Sequence, residues 1–204
     1  KADNGFAAST TFNSKKADGL FTDQDQNKIN TQVALTKDNY HLSATYSMQN
    51  GWNSWSYYST KDLASGASNV GWGSDSTLNT TQADALALRA WWRPEETGTA
   101  TPSISFGYDT TQYDGVTSGT DSSDMWFVGL QWQDTFNADD KIGLALAQPT
   151  KHDDETTDPF AYELYYSYKA NDSVTVTPTV FGGTDRDGGT EDVFGALVQT
   201  TFKF

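Results

Sequence analysis

Hydrophobic and polar side chains alternate one for one over ten stretches of this chain. The last stretch is the plainest. Phe194, Ala196, Val198, Thr200, Phe202 and Phe204 fall on one side of it, and Gly195, Leu197, Gln199, Thr201 and Lys203 on the other. Successive side chains of a strand point to opposite faces, so such a stretch makes a ribbon with one greasy and one wet side. The pattern predicts strands near residues 5–14, 28–37, 40–49, 84–93, 102–109, 124–134, 141–148, 160–169, 173–181 and 193–204. Ala83 to Trp92 could pass for a short helix, but Leu86, Leu88, Ala90 and Trp92 alternate against Ala87, Arg89, Trp91 and Arg93, which predicts a strand. Pro178 lies inside a predicted strand, where its missing N–H normally means a bulge or an edge.

The connections alternate in length. Short ones fall at Asp38-Asn39, 94–101, 135–140 and 170–172, and long ones at 15–27, 50–83, 110–123, 149–159 and 182–192. Strict alternation of this kind is expected of an antiparallel up-and-down transmembrane β-barrel in an outer membrane, with short turns inside and long loops outside. The apolar sides fit that expectation by height. Tyr40, Trp92, Trp132, Tyr168 and Phe204 lie toward the short turns, and Tyr108, Trp126, Phe160 and Phe194 toward the long loops. Leu42, Ala44, Leu88, Phe106, Val128, Leu130, Leu144, Leu164, Val176 and Val198 lie between them. Tyr and Trp favour the headgroup region, so two aromatic girdles around an aliphatic band describe a lipid-facing wall.

Composition narrows the choice. The chain has 204 residues, 36% of them hydrophobic, and no apolar run approaches the ~18 residues of a membrane helix. No Pro-rich linker or internal repeat divides it, so residues 1–204 are expected to form one domain. Cysteine is absent, which rules out disulfides and thiolate metal sites. The net charge of −14 makes nucleic acid a poor partner. The chain starts at Lys1 without a charged-then-apolar leader, as expected of a mature, processed or truncated sequence.

Three runs carry a family resemblance: FGALVQTTFKF at 194–204, YELYYSYKANDSVTVTPTVFGG at 162–183 and RAWWRP at 89–94. Together they resemble the C-terminal part of the carbohydrate-selective (OprB-type) outer-membrane porins of cyanobacteria. The resemblance covers roughly 28–204 and is firmest after Ala83. It implies residence in the outer membrane of a Gram-negative-type bacterium, passive diffusion of sugars or inorganic ions, a possible homotrimer, and delivery to the barrel-assembly machinery through the strand ending at Phe204. Such porins have about 16–18 strands and, in this kind, an N-terminal envelope-anchoring domain; the ten strands here are too few. Small side chains on the wet faces (Ser43, Thr45, Ser105, Gly107, Gly129, Gly143, Ala145 and Ala147) predict a wide wall with water behind it, hence part of a larger barrel. The alternative is a complete ten-stranded barrel acting as an enzyme or adhesin.

The candidate pore-lining residues are His41, Arg89, Trp91, Arg93, Glu163, Lys169 and Lys203, all of wet-face parity. An acidic mouth over a basic inner wall would tune ion traffic. Trp91 shares a face with Arg89 and Arg93, an arrangement suited to stacking on a sugar ring or selecting anions, or simply to packing under a loop. Asp23 and Asp25 open a D-x-D-x-N run, which lacks the Gly and Glu of a calcium loop, and Asp185 and Asp187 lie among other acids; either loop could hold Ca²⁺ weakly, but a plain polar turn is the preferred reading of both. No other cofactor is expected. Loop 50–83, with Trp52, Trp55, Tyr57, Tyr58 and Trp72, is expected to fold inward.

An enzyme needs a base beside a nucleophile, or paired acids. The two histidines offer neither: His41 sits toward the short-turn rim, and His152 sits among acids with no positioned serine. A soluble carbohydrate-binding sandwich would leave the terminal Phe204 and the two girdles without a purpose. The sequence therefore predicts a porin rather than an enzyme.

Overall fold

The computed structural model describes residues 2–16, 26–50, 82–114, 122–153, 156–185 and 191–203. They form a ten-stranded sheet of β1 (Phe6–Lys16), β2 (Gln26–Thr36), β3 (Tyr40–Asn50), β4 (Gln82–Trp92), β5 (Ser103–Asp114), β6 (Ser122–Gln133), β7 (Lys141–His152), β8 (Phe160–Asn171), β9 (Val174–Thr184) and β10 (Val193–Phe202). The strands lie in chain order, each antiparallel to the next. The sheet is up-and-down and open, with β1 and β10 at its two edges.

All ten predicted strands are present, but their ends differ systematically. At the short turns they agree closely. At the long connections they run on: β5 continues to Asp114, β7 to His152 and β9 to Thr184. Thr110, Thr111 and Gln112 are polar on both faces, so the alternation fades while the hydrogen-bond ladder to Asp84, Ala85 and Leu86 continues. β4 is a strand despite its helix-favouring Ala and Leu. Its residues pair with β3 on one side and β5 on the other, and pairing overrides a weak local preference.

Pro178 makes neither a bulge nor an edge. It pairs with Val198 of β10, while toward β8 the ladder passes from Tyr165–Thr179 to Tyr168–Val176 with no change of register. The Thr177 and Ser167 hydroxyls join at 3.1 Å beside this interruption. Pro149 behaves as expected of a proline and falls where the β6–β7 register shifts, between Asp124–Lys151 and Trp126–Gln148.

The turns are locked by short polar side chains. Between β6 and β7, Asp134 and Asp139 have positive φ (56° and 66°), and Asp139 N–H donates to Asp134 Oδ1 at 2.7 Å. Fully buried Asp140 accepts from the N–H groups of Thr135, Phe136 and Asn137 and from the Tyr166 hydroxyl. Ser173 N–H donates to Asn171 Oδ1 in the β8–β9 turn. The connection from Arg93 to Pro102 folds back on β6, with Gly98 N–H donating to Gln133 O and Trp132 Nε1 to Ala100 O.

Exposure is inverted relative to a water-soluble sheet. Among the described residues, every exposed large hydrophobic except Phe136 and Leu197 lies on the face that carries Leu42, Leu88, Phe106 and Leu164. On β10, Phe194 is 71% exposed and Val198 67%. The opposite, polar face is the crowded one. Among the described residues it holds the buried hydrophobics (Ala83, Ala85, Ala87, Tyr113 and Met125) together with buried Ser47, Gln49, Asp109, Thr111 and Ser123.

The small residues of the polar face do not leave the open space predicted above them. Gly107 lies opposite Phe127, Gly143 opposite Tyr165 and Gly195 opposite Phe181, and in each pair the ring occupies the space that a glycine Cβ would take. Gly129 has the Ser105 hydroxyl in the same relation. An aromatic laid across a neighbouring glycine restores packing where the strand has no side chain. The prediction of a wide, water-backed wall therefore loses this support: at Gly107 and Gly143 the space belongs to rings.

Candidate functional site: a basin on the polar face

Two rows of cross-strand partners build the site. One runs Trp91–Ser105–Gly129–Ala145 across β4 to β7, and the next runs Ser103–Gln131–Gly143–Tyr165 across β5 to β8. Between them lies a basin of about 330 Å³. Ala145, the Tyr165 ring laid over Gly143 and the Ser105 hydroxyl over Gly129 line it, together with Trp91. Arg93, Ser103, Ser105 and Gln131 supply the polar groups of its lining. Gln131 Nε2 donates to the Tyr165 hydroxyl at 2.7 Å, and Ser105 Oγ donates to Gly129 O at 3.4 Å.

The two arginines of the Arg89–Arg93 run do different work. Arg89 Nη2 lies 2.7 Å from Asp109 Oδ2, with side-chain exposures of 13% and 4% for the pair. Its Nη1 also donates to Tyr108 O, and its guanidinium lies 5.6 Å from the Phe127 ring centroid. Its charge is thus matched inside the face. Arg93 has no ion pair among the described residues. Its guanidinium lies over Trp91, 4.7 Å from the centroid, and donates to Asp38 O at 3.2 Å. His41 stacks parallel to Trp91 at 6.0 Å, and its Nδ1 lies 2.9 Å from Thr36 Oγ1. Arg93 therefore covers a face of the indole expected to meet a sugar.

The remaining predicted site residues do not converge on the basin. Glu163 is exposed on the polar face, between Ala145 and Phe181. Lys169 bonds Asp139 at 2.9 Å and lies 3.4 Å from Asp172, at the short turns. That hydrogen bond from Lys169 holds the Asp139 carboxyl below its ordinary pKa. Lys203 follows β10, and its backbone N–H donates to Ser173 O. Of the calcium candidates, Asp185 has φ 51° at the end of β9, whereas Asp23, Asp25 and Asp187 lie outside the described residues, as do Phe204 and residues 51–81. Among the described residues no three His, Asp or Glu side chains gather as a metal site.

Sequence reasoning named Trp91 and Arg93 but missed Ser103, Gln131 and Tyr165 as their neighbours, and Asp109 as the partner of Arg89. Parity puts all seven on one face; only register puts them side by side. No family model, curated protein or solved structure matches this chain.

Proposed function

We propose that this sheet is part of the wall of an outer-membrane pore, through which small hydrophilic solutes or ions diffuse passively. The apolar face meets lipid and the polar face meets water. One observation carries the proposal: among the described residues of the strands, every exposed large hydrophobic side chain except Leu197 lies on one face of the sheet, while the buried side chains cluster on the other. In water an uncovered apolar face of this extent is a liability, whereas in a bilayer it is the outer surface of a strand wall. Leu86 to Trp92 on β4 offers four consecutive apolar outward positions over about 20 Å of strand, close to the apolar band of such walls.

Two further features support it. Successive connections alternate between the two ends of the sheet, and the longest, 51–81, falls at the end opposite the tight turns at 37–39 and 172–173. The strict short–long alternation expected from the sequence is lost, because the strands run on and 93–102 at the turn end is longer than 115–121 and 153–159. At the short-turn end the apolar face gains Phe136, which packs edge-on to Tyr166 at 5.9 Å, and Tyr166 in turn stacks on Tyr168 at 6.4 Å. These rings suit a headgroup region. On this reading the free edges at β1 and β10 belong to a larger wall of about 16–18 strands.

The test is reconstitution of the full protein, purified in detergent, into a planar bilayer. Stepwise conductance and dependence on detergent for solubility are expected. A monodisperse protein in plain buffer that leaves the bilayer silent would overturn the proposal.

A further inference from the structure

The basin beside Arg93 combines features that point to one class of solute. Ala145 and the Tyr165 ring laid over Gly143 give it an apolar floor, and Trp91 borders it. The guanidinium in its lining has no carboxylate partner among the described residues. A hydrated inorganic anion gains nothing from an apolar floor, and a neutral solute gains little from an unmatched cation. A small ring or short chain bearing one carboxylate uses both. Its body lies against the floor and aromatic sides, and its carboxylate takes charge-assisted hydrogen bonds from the guanidinium. The volume of about 330 Å³ is at the lower end for small-molecule pockets.

We infer that this basin is a binding subsite for small organic carboxylates. The inference rests on the pore reading and names the class of solute the wall retains. Arg93 is held for the purpose: Trp91 under its plane and Asp38 O at 3.2 Å restrict the guanidinium without neutralising it. Arg89, four residues earlier on the same face, cannot substitute, because Asp109 already matches its charge.

Isothermal calorimetry on the detergent-solubilised protein tests the subsite with three probes: benzoate, benzyl alcohol and inorganic phosphate. Benzoate is expected to bind more tightly than either of the others, which lack the charge or the ring. Arg93→Gln is expected to weaken benzoate about tenfold, the scale of a charge-assisted hydrogen bond. Ala145→Leu, which fills the floor and leaves the charge, should weaken it comparably. Benzoate binding that is absent, unchanged in both variants, or matched by phosphate overturns the subsite. The same preparations go into planar bilayers, so the two ideas fail separately. Conductance without benzoate binding removes the subsite and leaves the pore. Benzoate binding with no conductance removes the pore and leaves the subsite.

Discussion

At the residue scale, two arginines on one strand face have opposite environments. Arg89 and Asp109 form a nearly buried pair, so removing either side leaves the other charge stranded. Arg89→Ala is expected to lower stability by about 3 kcal/mol, seen as an earlier urea midpoint in refolding assays. Arg93 lies over an indole and has no ion pair among the described residues. Arg93→Ala should therefore shift the reversal potential in a salt gradient toward cation preference, while Arg89→Ala with Asp109→Ala, which removes both charges together, should leave it in place. Equal shifts from the two changes would contradict the assignment. The sequence made both arginines visible, but treated them as equivalent because the spacing along β4 is all it contains. The difference arises across the strand gap, where the partner is twenty residues away.

At the scale of elements, the turn between β6 and β7 shows how one side chain organises a connection. Asp140 is buried and ties three successive N–H groups and the hydroxyl of Tyr166 on β8. Burial pushes the Asp140 carboxyl upward. The hydrogen bonds from Asn137, Tyr166, Thr135 and Phe136 more than offset this, so its pKa lies below the ordinary 3.8. A carboxyl depressed in the folded state stabilises above its unfolded value and loses that contribution as pH falls through the folded one. Asp140→Asn should thus be less stable than the parent at neutral pH. The difference should narrow as pH drops below 3.8, measured as urea midpoints across an acid series. A gap that widens in acid would rule this out. Strand existence was legible here, since alternation follows directly from strand geometry. Strand length was less so: β5, β7 and β9 outlast their alternation because backbone pairing does not require an apolar face. Pro178 departs from expectation for a related reason, as neighbours on both sides hold β9 straight while one stretch of ladder goes unpaired.

At the scale of the whole molecule, the proposed lipid-facing wall makes opposite demands on neighbouring residues of one strand. Leu144 lies on the apolar face and Ala145 on the polar face of β7. The chain contains no cysteine, so a single nitroxide can be placed at either position without background. In bilayers, Leu144→Cys labelled protein should be relaxed by oxygen, which concentrates in lipid, and Ala145→Cys by a water-soluble nickel chelate. Identical behaviour at the two positions, or chelate access at Leu144, would defeat the lipid-facing assignment. By itself the sequence determined the strands, their order and which residues share a face, because a period of two and the turn residues act locally through backbone geometry. Only the tertiary structure decided that the polar face is the crowded one, that rings fill the space over Gly107 and Gly143, and that Arg93 borders a basin while Arg89 is matched. Those outcomes depend on register between strands, and register is fixed by the ladder across connections of very different length.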